Sequence, residues 1–139
     1  MKIIVQDNAS FILRFDSGED IISGLQNFMK EQSISVCTFS GVGACSSVEL
    51  GFFNTHIKDY RKKPYIDEME ILSLNGNGSL KEGESFIHCH GMFGRNDFTV
   101  LGGHIFKLVV SVTAEIFLTK LNGMAKRELN SEFNLNLLN

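Results

Sequence analysis

Residues 86–118, FIHCHGMFGRNDFTVLGGHIFKLVVSVTAEIFL, decide the fold of this protein. Residues 84–93 have strand character, and residues 106–118 are apolar on both faces for much of their length, as expected of a central β-strand. The glycines between the two apolar segments let the chain turn and come back; they are Gly91, Gly94, Gly102 and Gly103. The stretch therefore predicts two neighbouring strands around the centre of a sheet.

Further strands and one helix are predicted on either side of this stretch. The helix falls within residues 16–32, with Ser17 as a possible cap and Asp20 at the position of a capping-box carboxylate. Its apolar stripe has helical spacing and consists of Ile21, Ile22, Leu25, Phe28 and Met29. Strand patterns occupy residues 10–15, 34–43, 46–53 and 67–80, and 125–138 can add a short final strand. We expect an α+β fold with a mainly antiparallel sheet and one main helix near the N-terminus.

Length and composition indicate one globular domain over residues 1–139. The chain is 43% hydrophobic and has a net charge of −3, which excludes a disordered class and argues against a strong overall attraction to nucleic acid. Its three cysteines form no Cys-x-x-Cys pair, as is usual in a reducing compartment. With no signal-peptide core and no run of about 18 apolar residues, we expect a cytoplasmic protein without a membrane span.

The three histidines of the opening stretch are candidate metal ligands. Side chains alternate along a strand, so His88 and His90 point to one side while Cys89 points to the other. The returning strand brings His104 close enough to complete a triangle. Three imidazoles with an open fourth position form a catalytic type of zinc site, although imidazole also suits other divalent transition metals. The alternative is that the histidines bind no metal; His56 is expected to be an ordinary surface residue.

Two carboxylates interrupt apolar strands and are candidates for catalysis. Glu70 lies within MEILSL and Glu115 within SVTAEIFL. A charged group among apolar neighbours must find a partner or shift its pKa. The partner can be a group at a metal site, a cation such as Lys107 or Arg127, or a neighbouring subunit, and the sequence leaves these alternatives open.

Residues 55–68, THIKDYRKKPYIDE, form the main polar interruption and are predicted to be a loop or edge, with Pro64 inside. Cations beside aromatic rings can grip phosphates and stack bases, which makes this segment the candidate nucleic-acid patch. Its basic residues are Lys58, Arg61, Lys62 and Lys63. The three acidic residues of the same segment favour a solvated loop instead.

Several motifs together resemble the plants-and-prokaryotes-conserved (PPC) domain family. They are a Glu-Ile-x-Ser-Leu-x-Gly segment, the His-x-His strand, the Gly-Gly-His return and a Thr-Ala-Glu strand. The segments GEDIISGLQNFMKEQSI (18–34) and FSGVGACSSVELGFF (39–53) match the early helix and glycine-bearing strand of the family. The resemblance covers nearly the whole chain and the order of its elements.

The resemblance implies a domain that assembles as a homotrimer. Plant members carry an AT-hook of the Arg-Gly-Arg-Pro type, and this sequence contains no Arg-Gly-Arg, so the hook gives no ground for DNA binding here. The histidine set is similar to the three-histidine zinc site of acetolactate decarboxylase, a structurally related enzyme. By that analogy His88, His90 and His104 would hold the metal, Glu70 or Glu115 would handle a proton, and Arg95 would bind an anionic substrate.

Three functions are compatible with these observations. The first is a homotrimeric metal-binding domain, with zinc as the favoured ion and a small-molecule pocket. Any enzymatic activity would then be that of a metal-dependent lyase or hydrolase on a carbonyl-containing substrate. The second is a DNA-binding, transcription-associated protein that uses residues 58–63. The third is an oligomeric interaction module without catalysis.

Overall fold

A computed structural model describes all residues, 1–139, as one helix and eight strands. In chain order the elements are β1 (Lys2–Gln6), β2 (Ser10–Asp16), α1 (Ile21–Glu31), β3 (Cys37–Asn54), β4 (Asp59–Lys81), β5 (Glu84–Gly94), β6 (Val100–Lys120), β7 (Lys126–Asn130) and β8 (Leu135–Leu138). This is the mainly antiparallel α+β fold expected from the sequence. With eleven residues, α1 is too short to cross a bilayer, and no helix has the length and hydropathy of a membrane span.

The sheet has the strand order β1-β2-β6-β3-β4-β7-β8. β5 lies off this path and pairs with both β4 and β6, so β3, β4, β5 and β6 form a closed circuit of antiparallel pairings. The pairing of β4 with β7 is parallel and brings the C-terminal hairpin against the end of β4. The closed circuit fixes β5 between two long strands, and β5 carries two of the three candidate ligands.

The helix begins later than its first candidate cap. Asp20, not Ser17, is the N-cap residue, and its side chain accepts a hydrogen bond from the backbone N–H of Ile22. Glu19 instead contacts the N-terminal amine and accepts from the Asp16 N–H at 2.8 Å. These contacts tie the start of the chain to the loop before α1.

The strands are longer and more continuous than the sequence pattern predicts. Residues 37–54 form one strand where two were expected, and β1 was not foreseen. Of the two alternatives for residues 55–68, the loop is wrong for most of its length, because β4 begins at Asp59 and pairs with β3 from there, whereas the edge position agrees with the structure. Pro64 is tolerated because β5 pairs with β4 only from Glu70 onward, which leaves this part of β4 at a sheet edge.

The hydrophobic core lies between α1 and one face of the sheet. All five residues of the predicted apolar stripe of α1 are buried. Phe28 of α1 packs edge-on against Phe11 of β2, with ring centroids 5.1 Å apart. The candidate metal ligands lie on the opposite face, which mixes polar side chains with exposed apolar ones such as Met92.

Candidate metal centre

The sheet register brings the three histidines together. His90 of β5 and His104 of β6 are directly paired, and His88 lies two residues earlier on the same face of β5. The Nε2 atoms of His88 and His90 are 3.2 Å apart, and His104 Nδ1 lies 3.4 Å from His90 Nε2. All three candidate ligand atoms lie within 4.8 Å of one another. The spacing of the motif and one strand pairing are enough to build this cluster.

These nitrogen separations fit a tetrahedral metal. With Zn–N bonds of about 2.0–2.1 Å, two ligands of a tetrahedral zinc ion are roughly 3.3 Å apart. The separations of His90 Nε2 from the nitrogens of His88 and His104, 3.2 and 3.4 Å, bracket that value, and the third pair lies within 4.8 Å. A donor set of three imidazoles leaves a fourth position for water or a ligand. The residues present therefore fit a divalent transition metal.

The surroundings keep two of the imidazoles neutral, as metal ligation requires. The pKa of His104 is lowered from 6.5 to about 4, chiefly by burial, with smaller contributions in the same direction from the neighbouring histidines, Arg127 and Lys62. Burial also lowers the pKa of His88, with smaller contributions from Arg127 and His90. Near pH 7 these rings have lone pairs available to a metal.

Two aromatic rings hold His104 in place. The ring centroid of Tyr60 lies 4.9 Å from that of His104, and the centroid of Phe106 lies 4.7 Å from it. Both rings occupy the space above Gly51, where an added Cβ would be 2.5 Å from Phe106 and 2.9 Å from Tyr60. Only glycine at position 51 lets these rings close over the imidazole. His104 is consequently buried, with 8% of its surface exposed.

Neutral polar side chains surround the exposed side of the cluster. A cavity of about 340 Å³ is lined by His88, His90, Asn75, Asn77 and Thr38, among others. A second cavity of about 280 Å³ lies beside His90 and Asn75 and reaches Gly102 and Gly103. Neither cavity is lined by an acidic residue. A small ligand can reach the histidines from here without meeting a carboxylate.

Sequence reasoning did not single out the two asparagines and did not connect Arg127 with the histidines. Asn75 and Asn77 lie in NGNG, which resembles a turn but continues β4 with both amides on the histidine face. Their period-two spacing was the available signal. Arg127 of β7 donates from Nη2 to the Asn77 Oδ1 at 2.9 Å, although 50 residues separate the two. A local sequence pattern cannot predict a contact between residues so far apart in the chain.

The candidate catalytic residues are not beside the histidines within one chain. Glu70 is five residues from Asn75, the β4 partner of His90, which is roughly 16 Å along the strand. Glu70 and Arg95 instead line a cavity of about 570 Å³ that contains no histidine. Glu115 is eleven residues beyond His104, roughly 35 Å along β6, and is exposed.

Solvent, and not an ion pair, accommodates both carboxylates. Glu70 and Glu115 are exposed on the sheet, and neither forms a salt bridge to Lys107, Arg127 or another cation. Arg95 lies 3.7 Å from a carboxylate oxygen of Asp67. Although their neighbours in sequence are apolar, Glu70 and Glu115 are not buried. Side chains alternate along a strand, and these two point to its outer face.

Three of the four basic residues border one cavity. Arg61, Lys62 and Lys63 line a cavity of about 510 Å³ together with Phe52 and Tyr65. The Lys62 Nζ also lies 3.8 Å from the centre of the Phe106 ring and 3.8 Å from a carboxylate oxygen of Glu49. Lys58 is not part of this lining and sits in the turn before β4 with a φ of 53°.

The remaining histidine and the cysteines stand apart from the cluster. His56 is exposed in the turn between β3 and β4. The three cysteines are buried and free, as expected, and burial raises the pKa of Cys89 to about 12. Cys89 lies in the core, on the face of β5 opposite to the histidines.

The chain is similar to several solved structures. A metal-containing protein from Archaeoglobus fulgidus is 33% identical, with a TM-score of 0.89 and 99% of each chain covered. A Bacteroides thetaiotaomicron protein named for a suggested DNA-binding role is 27% identical, with a TM-score of 0.93, 97% of this chain and 94% of that chain covered. A comparison with proteins of curated function finds no match.

A more remote similarity is to acetolactate decarboxylase, the enzyme whose zinc site the histidine set resembles. Alpha-acetolactate decarboxylase from Bacillus subtilis superposes with a TM-score of 0.59 over 91% of this chain and 58% of that chain. Because the two sequences are 13% identical, this similarity shows a shared fold and not a shared activity.

The family assignment rests on most of the chain. The profile of the Plants and Prokaryotes Conserved (PCC) domain, the family called PPC above, matches residues 4–122. The matched region contains α1, the histidine strands and the whole closed circuit of β3 to β6. The chain therefore belongs to the Plants and Prokaryotes Conserved domain family.

Proposed function

We propose that His88, His90 and His104 hold one divalent transition metal ion, with zinc as the favoured ion, in a homotrimeric protein. The observation that carries the proposal is the pair of nitrogen separations, 3.2 and 3.4 Å, which suit a tetrahedral ion. The metal-containing protein from Archaeoglobus fulgidus supports it independently, since it is 33% identical to this chain over 99% of both chains.

The chain itself would prepare the site for a small molecule. Tyr60 and Phe106 exclude water from one side of His104, and the amides of Asn75 and Asn77 offer hydrogen bonds on the open side. A metal held here would polarise a carbonyl oxygen or lower the pKa of a water molecule. If the protein is an enzyme, these features favour a metal-dependent lyase or hydrolase acting on a small carbonyl compound.

Metal content decides the proposal. Untagged wild-type protein and two variants, His88→Ala and His56→Ala, are purified identically and analysed by inductively coupled plasma mass spectrometry. We expect close to one transition-metal ion per chain in wild type and His56→Ala, and a large loss in His88→Ala. Equal metal content in all three proteins would refute a site at this cluster.

The cavity of about 570 Å³ is the proposed place for Glu70 and Arg95 to act. These two residues share it with exposed apolar side chains, of which Phe98 is 93% and Val112 is 72% exposed. An apolar surface of this kind marks an interaction site, and we propose that copies of the chain meet here in the trimer. Glu70 and Arg95 would then lie at the subunit interface. Glu115 is exposed elsewhere on β6 and does not line this cavity. A catalytic role for Glu115 is likewise a proposal.

DNA is the second candidate ligand. A solved relative, 27% identical, is named for a suggested DNA-binding role, and the cavity with Arg61 and Lys63 combines cations with the rings of Phe52 and Tyr65. Binding of a labelled duplex at about 50 mM salt is the permissive test, because low salt favours phosphate contacts. Lys62→Gln and Lys63→Gln should each weaken this binding, because both side chains line the cavity. Absence of wild-type binding would eliminate the candidate.

A further inference from the structure

Arg127 is a buried cation without an acidic partner. Only 9% of its surface is exposed, and none of the salt bridges in the chain involves it. Its guanidinium stacks over the Phe86 ring at 4.9 Å. Burying an unpaired charge costs free energy of folding. Such a residue therefore either destabilises the folded protein or binds an anion that neutralises its charge.

The hydrogen bonds of Arg127 go entirely to neutral acceptors. Nε donates to the Ser79 hydroxyl at 2.9 Å, Nη1 to the Asn136 carbonyl at 3.0 Å and Nη2 to Asn77 Oδ1 at 2.9 Å. A guanidinium has five N–H donors, so one donor on Nη1 and one on Nη2 have no protein acceptor. These contacts fix the orientation of the group but do not neutralise it.

The sheet register places this charge next to the histidine cluster. Asn77 pairs with His88, and Ser79 pairs with Phe86, so Arg127 contacts one member of each of two successive rows on the histidine face. The following row holds Asn75 and His90. Successive rows on one face of a strand are roughly 7 Å apart, a span that a small organic molecule can bridge.

The rest of this surface is also suited to a negative charge. The cavities beside His88 and His90 contain amides, hydroxyls and backbone but no carboxylate. Lys62 lies on the side of His104, over Phe106, but its charge is already paired with Glu49 at 3.8 Å, so Arg127 is the cation near the histidines that lacks an acidic partner. Arg127 lies beyond residues 4–122, the part of the chain that the family profile matches.

We propose that Arg127 binds the carboxylate of a small organic acid whose other oxygen reaches the metal at His88, His90 and His104. The inference rests on the proposed metal site for its second anchor and names the class of ligand for that site: a short carboxylic acid with a hydroxyl or carbonyl oxygen nearby. A guanidinium binds a carboxylate through two parallel N–H···O bonds, which adds orientation as well as affinity.

The decisive variant supplies the missing counter-charge from within the protein. At present Arg127 Nη2 lies 2.9 Å from the Asn77 Oδ1. Asn77→Asp replaces this amide with a carboxylate of the same size, so the hydrogen bond and the fold should be retained. Asn8→Asp makes the same change of charge in the exposed turn between β1 and β2 and is the matched control. Arg127→Lys keeps the charge but removes the fork of donors.

The probe is glycolate, with glycolamide as its neutral counterpart, titrated into zinc-loaded protein by calorimetry. We expect glycolate to bind wild type and Asn8→Asp equally, and Asn77→Asp roughly 10- to 100-fold more weakly, the loss expected for a charged hydrogen bond. Arg127→Lys should fall between them, and glycolamide should not distinguish the variants. Equal glycolate affinity in wild type and Asn77→Asp would overturn the assignment of Arg127.

Failure of this inference is separable from failure of the metal site. Metal content is measured on each variant first, and the Arg127 Nε–H resonance is followed by NMR during glycolate addition with and without zinc. Zinc binding with no response of Arg127 would overturn the inference and leave the metal site standing. A response of Arg127 in protein that binds no zinc would support the anion site and refute the metal site.

Discussion

Acidification should destabilise the metal-free protein through His104, and the size of the effect follows from its burial. The pKa of this imidazole is lowered from 6.5 to about 4, because charging it would place a cation among Tyr60, Phe106 and the other histidines. A lowered pKa in the folded state means that the unfolded state takes up the proton first. The stability contribution of neutral His104 is therefore complete above pH 6.5 and is lost as the pH falls toward 4.

The expected loss of unfolding free energy is about 1.4 kcal/mol near pH 5.5 and about 3 kcal/mol near pH 4, at about 1.36 kcal/mol per unit of pKa shift. Urea unfolding between about pH 7.5 and pH 4 measures it on metal-stripped wild type and His104→Gln. The wild-type profile should be steeper by this amount, whereas His56→Gln should follow wild type. Parallel profiles for wild type and His104→Gln would show that the burial argument is mistaken.

Two further predictions concern the support of the site and the subunit contact. Gly51→Ala should lower zinc affinity by roughly 10- to 100-fold, as loss of a supporting contact does, because the methyl group meets Phe106 at 2.5 Å and Tyr60 at 2.9 Å. The control is Gly94→Ala, whose methyl group meets only the Leu72 side chain at 3.2 Å and which should bind zinc as wild type does. Equal zinc affinities for wild type, Gly51→Ala and Gly94→Ala would contradict the reasoning. In light-scattering measurements Phe98→Asp should convert a trimer to smaller species, while Ile57→Asp, at a turn and 67% exposed, should not; an intact trimer in Phe98→Asp would place the interface elsewhere.

Local periodicity explains what the sequence determined. The stripe from Ile21 to Met29 defined the buried face of α1, since side chains recur every three to four residues on one side of a helix. The alternation of His88, Cys89 and His90 likewise assigned the histidines to one face and the cysteine to the core. Such statements need only neighbouring residues, and they hold in the structure.

Long-range register explains what only the tertiary structure decided. The pairing of His90 with His104 closes the cluster, and the position of Asn77 relative to Arg127 depends on a contact across 50 residues. The continuous course of β4 through residues 59–68 likewise depends on pairing with β3, which overrides the polar composition of that segment. Neither the distance of Glu70 from the histidines nor the missing counter-charge of Arg127 can be read from local pattern, because both depend on which strands become neighbours.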